Sequence, residues 1–151
     1  MWELERESEL PDLARLRCAI VGAGRLGHAL ACALREAGIA TDGPLGRGAD
    51  GADADIVLLC VPDGEIAAAA SVIGGLPPGR DRFVGHCSGA TTLDVLAPHE
   101  GFSLHPLMSV PAAGPPRLAG AAAAIAGTTP RVHALAQALA YRLGLTPIAV
   151  A

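Results

Sequence analysis

The stretch RCAIVGAGRLGHALACALREAG, residues 17–38, restricts the fold more than any other part of the chain. An apolar run ends in G-x-G-x-x-G, and Leu26, Leu30, Ala33, Leu34 and Ala37 then recur at helical spacing until Gly38 stops them. A buried strand that turns through glycines straight into a helix opens a βαβ unit. In that context an otherwise weak pattern becomes a dinucleotide fingerprint. Gly22 permits the tight turn, Gly24 lets the backbone approach a pyrophosphate, and Gly27 lets the helix pack close to the sheet. Arg25 and Leu26 complete the turn, where the helix N-terminus offers N–H donors and Arg25 adds positive charge. The competing reading is a tight strand–helix turn that binds nothing.

The rest of the chain repeats the alternation. ADIVLLCVP (54–62) is apolar on both faces, as a central parallel strand is. Val61 and Pro62, at its carboxyl end, are placed to line a cofactor, and Asp63 is expected to cap a helix running to about Ile73. IATDGPLGRG (39–48) reads as a strand weakened by Gly43 and Pro44, RFVGHC (82–87) as a fourth strand and GFSLH (101–105) as a fifth. SGATTLDVLAP (88–98) suggests a short capped helix. After the Pro-rich 111–116 comes the apolar AAAAIAG (121–127), then a helix over 128–144 with Thr129 as cap and Pro130 at its first position, and a last strand in TPIAVA. These elements predict an α/β, doubly wound Rossmann-like domain over residues 17–151, its sheet mostly parallel, behind a helical extension over residues 1–16 interrupted near Pro11.

Composition narrows the function. With 51% hydrophobic and 17% charged residues in 151, the chain has enough apolar material for one packed domain. Aromatics are 3%, net charge is −4 and the basic residues are scattered, which argues against a nucleic-acid or anionic-membrane surface. All 11 cationic residues are arginine, so no lysine is at hand for Schiff-base chemistry. Cys18, Cys32, Cys60 and Cys87 lack metal or disulfide spacing and read as reduced thiols of a cytoplasmic protein; no metal site is expected. The acidic MWELERESEL has no signal-peptide pattern, and no apolar run reaches the ~18 residues of a membrane span.

The second strand bears on the cofactor. An NAD site has an acid about twenty residues beyond the glycine turn. The matching place holds GPLGRG, whose Arg47 suits the 2′-phosphate of NADP through paired hydrogen bonds. NADP is therefore expected before NAD. Asp42 nearby could serve NAD instead, and Arg47 could be an ordinary solvated loop residue.

Four segments in order, GAGRLGHALACALREAG, LLCVPDGEI, GHCSGATTLDVLAP and FSLHPLM, resemble the N-terminal domain of Rossmann-like proteins that carry the domain of unknown function DUF2520. The resemblance covers residues 17–151 and implies an NADP-dependent oxidoreductase related to pyrroline-5-carboxylate reductase and the 6-phosphogluconate dehydrogenase group. Members of that family continue into a helical C-terminal domain that completes the substrate cleft and usually a homodimer; this chain stops where that domain would begin.

His105 and Ser88 are the candidates for chemistry. Both follow strand ends on the expected cofactor side. Hydride transfer to a carbonyl or imine requires a proton donor near the reacting atom, and His105 is the best one in the chain. Ser88, with the Gly89 N–H, could hold a substrate carboxylate or the nicotinamide amide. Equally, Ser88 could only cap the following helix, and His105 could only fix the loop before Pro106. His86 reads as structural, and Cys87 has no evident base. The preferred expectation is a reductase acting on a small keto acid or imine, and for the isolated chain a dinucleotide-binding module without turnover. A methyltransferase is disfavoured, because its phosphate-free cofactor has no use for the glycine turn or Arg47.

Overall fold

The computed structural model describes residues 12–108 and 118–150. Seven strands form one sheet: β1 (Arg17–Val21), β2 (Ala40–Leu45), β3 (Ile56–Leu59), β4 (Phe83–His86), β5 (Glu100–Pro106), β6 (Ala122–Gly127) and β7 (Thr146–Ala149). Their spatial order is β2-β1-β3-β4-β5-β6-β7, and all pairs are parallel except β5–β6. Among the described residues three α-helices accompany them: α1 (Arg25–Glu36), α2 (Ile66–Ser71) and α3 (Pro130–Arg142). The expected doubly wound, mostly parallel α/β sheet is therefore present.

Residue alternation along the central strands assigns each helix to a face. Cys18, Ile20, Ile56 and Leu58 point to one side, where Leu30 and Leu34 of α1 and Val132, Leu135 and Leu139 of α3 pack on them. Ala19, Val21, Val57 and Leu59 point to the other, under Ile66 and Ala70 of α2. With few aromatics available, Phe102 is the one large ring in the core. It is fully buried, and its ring lies where a Gly85 side chain would be.

The two long helices end as their sequences predict. Thr129 caps α3 by accepting from the Val132 N–H (3.2 Å), with Pro130 at its start. Gly38, at φ +82°, follows α1. Two expectations fail. The segment 88–98 is not a helix but a hydroxyl-capped turn followed by a single 3-10 turn, Leu93–Leu96. Asp63 does not cap: it opens a 3-10 turn, Asp63–Glu65, that runs into α2 and has no side-chain cap. The apolar 121–127, to which the sequence assigns no element, forms β6, which together with β7 runs opposite to β1–β5. Of the helical extension over 1–16, the described part is one 3-10 turn, Leu13–Arg15; the rest lies outside the described residues.

Arginines tie the amino-terminal edge of the sheet. Arg17 pairs with Asp42 (3.0 Å) and Arg80 with Asp55 (3.0 Å). Arg82 donates to the carbonyls of Ala52, Ala54 and Gly74. Arg131, at the start of α3, bridges Glu100 (2.6 Å) and Asp81 (3.1 Å), which holds the Glu100 carboxyl below its ordinary pKa. At the opposite edge, the one ion pair among the described residues joins Arg47 to Glu65.

Candidate functional site

The carboxyl-terminal edge of the parallel strands carries the candidate residues in spatial order: Arg47 beyond β2, Gly22 beyond β1, Cys60–Pro62 beyond β3, Cys87–Gly89 beyond β4, and His105 at the end of β5. The order reverses at β1, from which the chain passes to β2 on one side and later to β3 on the other. Such a switch point opens a crevice for ligand. At ~4.8 Å per strand, the row from Arg47 to His105 spans about 19 Å.

Gly22 takes φ +113°, a left-handed conformation that other residues avoid. A Cβ there would overlap the Cys60 carbonyl oxygen, so the end of β3 passes directly against the turn. Gly27 is constrained differently, because its Cβ would overlap the Gly22 carbonyl oxygen. Gly24 is the contrast: at φ −80° it has an ordinary backbone, and a Cβ on it would meet nothing within 4 Å. Gly24 is also the N-cap of α1 and supplies no side-chain hydrogen bond.

The first N–H groups of this 12-residue helix are taken by no side-chain cap at its positive end. A backbone that can be approached closely, with uncapped donors, fits a pyrophosphate. Arg25 beside it is exposed and has no ion pair among the described residues. Leu26 turns partly inward against the larger core. Val61 is half-buried beside Gly22, its Cγ1 3.3 Å from where a Gly22 Cβ would stand, and Pro62 is exposed.

Arg47 lies just past β2. Its side chain is largely exposed, and its guanidinium meets the Glu65 carboxylate at 2.7 Å, linking the loops beyond β2 and β3. Asp42 is placed apart from it. This residue sits within β2, opposite Ala19, and pairs with Arg17 at the far edge.

The loop after β4 is organised by His86, which is fully buried. Its Nδ1 accepts the Ser88 N–H at 3.0 Å, and its Nε2 faces the Thr92 carbonyl at 3.4 Å, an arrangement met by a neutral ring protonated on Nε2. Burial, the leading cause, lowers its pKa and keeps it neutral. His86 is structural, as its sequence position suggests. Ser88 is committed locally as well: its Oγ accepts from the N–H groups of Ala90 (3.1 Å) and Thr91 (2.9 Å) and lies 2.9 Å from Thr91 Oγ1. One donor and two acceptor positions are the whole capacity of a hydroxyl. Of the two roles open to Ser88, the cap is the one its contacts fill, although it caps a turn and not a helix.

His105 stands over this loop. Its half-buried ring lies against Gly89, where an added Cβ would come within 2.6 Å of Nδ1. It borders a cavity of about 500 Å³ with Ser88, Thr91, Ser103, Ala124 and Ala126. The floor consists of small side chains because Ser103, His105, Ala124 and Ala126 project from β5 and β6 on the α2 side of the sheet. Asp63 and Leu107 border an adjoining opening that shares Ser88, Gly89 and His105 with it. The helix-cap reading missed this carboxylate; the signal lay in V-P-D directly after the strongest strand. His105 and Ser88 are thus brought together, while the glycine turn and Arg47 lie further along the same edge.

No family model and no curated protein matches the sequence. Solved structures do. A candidate NADP oxidoreductase from Bacteroides fragilis is 15% identical, with TM-score 0.77 over 92% of this chain and 62% of its own. Prephenate dehydrogenase from A. aeolicus, in complex with hydroxyphenyl propionate and NAD+, gives 15% identity and TM-score 0.70 over 93% of this chain and 62% of its own. Pyrroline carboxylate reductase from Plasmodium falciparum, with NADP bound, gives 13% and 0.66 over 92% and 59%. These likenesses establish the Rossmann-like fold, and the chain spans about three-fifths of the length of each.

Proposed function

We propose that this chain is the NADP-binding domain of an oxidoreductase of the DUF2520 type, which reduces a small keto acid or imine by hydride transfer. The reading rests on one observation above the others. An uncapped helix N-terminus stands behind a glycine with open space in front of it, at the switch point of the sheet. Phosphate needs that arrangement, and a merely structural turn does not. Arg47 then falls at the 2′-phosphate end, with Asp42 turned to other use.

In this reading the N–H groups of Arg25, Leu26 and Gly27 hold the pyrophosphate, with Arg25 adding charge. Val61 and Pro62 flank the middle of the cofactor. When bound, the nicotinamide supplies the hydride. His105 gives the proton to the developing oxyanion or amide nitrogen, in a cavity whose alanine floor admits a small substrate. Arg47 exchanges Glu65 for the 2′-phosphate through paired hydrogen bonds. We place the protein in the cytoplasm as a homodimer, with the remainder of the substrate cleft contributed from outside the described residues. Structures similar in fold point the same way: their names include an NADP oxidoreductase and a reductase with NADP bound.

A second reading, a dinucleotide-binding module without turnover, draws support from Ser88, whose hydroxyl is already satisfied. Titration with NADPH and NADH tests the common premise. Tighter binding of NADPH, with the preference removed by Arg47→Ala, is the expected result. Absence of binding by either dinucleotide would refute both readings. Oxidation of NADPH on addition of keto acids or imines then separates the enzyme from the module.

A further inference from the structure

The sulfur atoms of Cys60 and Cys87 lie 3.9 Å apart, and the function proposed above uses neither. They follow Leu59 and His86, which are partners in the parallel register of β3 and β4, so each is the first residue beyond its strand. Neighbouring strands run ~4.8 Å apart, inside the ~4.4–6.8 Å range of Cα separations that a disulfide bridges. Rotation of the two side chains toward each other is the movement required, since bonded sulfurs lie ~2.05 Å apart.

The two thiols differ in a useful way. Cys60 is half-buried, whereas Cys87 is buried and borders the opening it shares with His105. The contact with Cys60, and then burial, keep the Cys87 thiol protonated well above the ordinary range. The other cysteines are separated from this pair. Cys18 sits within β1, its thiol pushed up to about 12 chiefly by burial, and Cys32 on α1 contacts the Glu36 carboxylate at 3.6 Å. Location gives the pair its consequence. The Cys60 carbonyl and Cβ are the surface on which Gly22 and Gly27 rest, and Cys87 leads directly into the loop under His105.

We propose that Cys60 and Cys87 are a modification site, a dithiol that a hydroperoxide converts reversibly to a disulfide and that thereby weakens dinucleotide binding. In the first step the Cys60 sulfur attacks the peroxide O–O bond, giving Cys60 sulfenic acid and releasing water or the alcohol. In the second the Cys87 sulfur attacks the sulfenic sulfur, forming the S–S bond and releasing water. The sulfurs are oxidised by two electrons in all, the peroxide is reduced by two, and both thiol protons leave in the products. Proximity offsets the low thiolate fraction of Cys87, because the second step is intramolecular. A dithiol reductant reverses the change by exchange.

Formation of the bond is independent of the proposed function, while its effect on affinity rests on it. The chain is treated with hydrogen peroxide, the remaining thiols are blocked, and unreduced peptides are mapped by mass spectrometry. A Cys60–Cys87 peptide pair is expected, lost with dithiothreitol and absent from Cys60→Ser and Cys87→Ser. Further oxidation of Cys60 to sulfinic acid without a cross-link, or a cross-link to Cys18 or Cys32, overturns the proposal. NADPH titration of reduced and oxidised chain should show at least a tenfold weakening, restored by dithiothreitol and absent in both serine variants. Equal affinity in the two states overturns the coupling. If the bond forms but reduced chain never binds NADPH, it is the functional reading that has failed.

Discussion

Gly24 and Gly27 stand three residues apart in one turn, yet alanine should do opposite things at the two positions. At Gly24 the backbone is ordinary and a Cβ meets nothing within 4 Å. Fewer unfolded conformations would stabilise Gly24→Ala by ~0.4–1 kcal/mol, and a poorer N-cap offsets this by a few tenths or more. At ~2–4 °C per kcal/mol, the melting temperature should stay within about 2 °C of the parent. Binding should change far more. A pyrophosphate oxygen lies ~2.9 Å from an N–H donor, whereas a methyl carbon holds it off at ~3.5 Å. Losing one charge-assisted hydrogen bond costs ~1.5–3 kcal/mol, a fall in affinity of roughly 10- to 150-fold.

At Gly27 the Cβ would overlap the Gly22 carbonyl oxygen, with the carbonyl carbon 3.1 Å away, so helix and turn must separate. Overpacking of this kind costs ~1–3 kcal/mol, or a drop of about 2–12 °C. Scanning fluorimetry and NADPH titration on the two variants decide the matter. If Gly24→Ala binds NADPH as tightly as the parent, the pyrophosphate does not lie over this turn and the proposed cofactor geometry is wrong.

Other consequences follow from single residues. His86 has a depressed folded-state pKa, so the stability it contributes is full above its ordinary value of 6.5 and is lost as pH falls through the lower folded value. Thermal denaturation from pH 7 to 5 should show this loss, reduced in His86→Asn; an unchanged slope would dismiss His86 as its source. Glu100, also depressed, adds a second loss at lower pH, as the solution falls below its ordinary 4.5, and Arg131→Ala should diminish it. Gly89→Ala pushes a methyl toward the His105 ring and should lower kcat/KM at least tenfold with little change in NADPH affinity; loss of both together would place Gly89 in the cofactor site. Phe102→Ala removes the largest fully buried side chain among the described residues and should cost ~3–5 kcal/mol, read as a lower denaturant midpoint.

Sequence alone revealed the parallel half of this molecule well, because hydrophobic runs and glycine chemistry are local. IVLL and CAIV are apolar on both faces since helices cover both, and Thr129-Pro130 starts a helix by its own hydrogen bond and fixed φ. AAAAIAG was less legible. Alanine favours helix intrinsically, and the β5 partners that make these residues an antiparallel strand lie 17 to 25 residues back. The turn at Ser88 reads as a helix start because a hydroxyl caps both; here it competes with the helix it might have begun. The site was legible by position and not by contact. Glycines and His105 fall at strand ends, but the Arg47–Glu65 pair, the Cys60–Cys87 approach and the place of Asp63 all depend on which strands become neighbours.

The uneven distribution of arginine across the sheet has a dynamic consequence. Arg17, Arg80, Arg82 and Arg131 fasten strand starts and their loops at the amino-terminal edge, and among the described residues a single pair spans the other. Local opening should therefore begin at the glycine turn and the loops after β3 and β4, where amide protons would exchange with solvent well before those near Asp55 and Glu100. A ligand settling there closes the fluctuations of one edge without disturbing the other. Substitutions that strengthen the fold and substitutions that retune recognition then fall on opposite rims, and each rim is free to vary with little effect on the other.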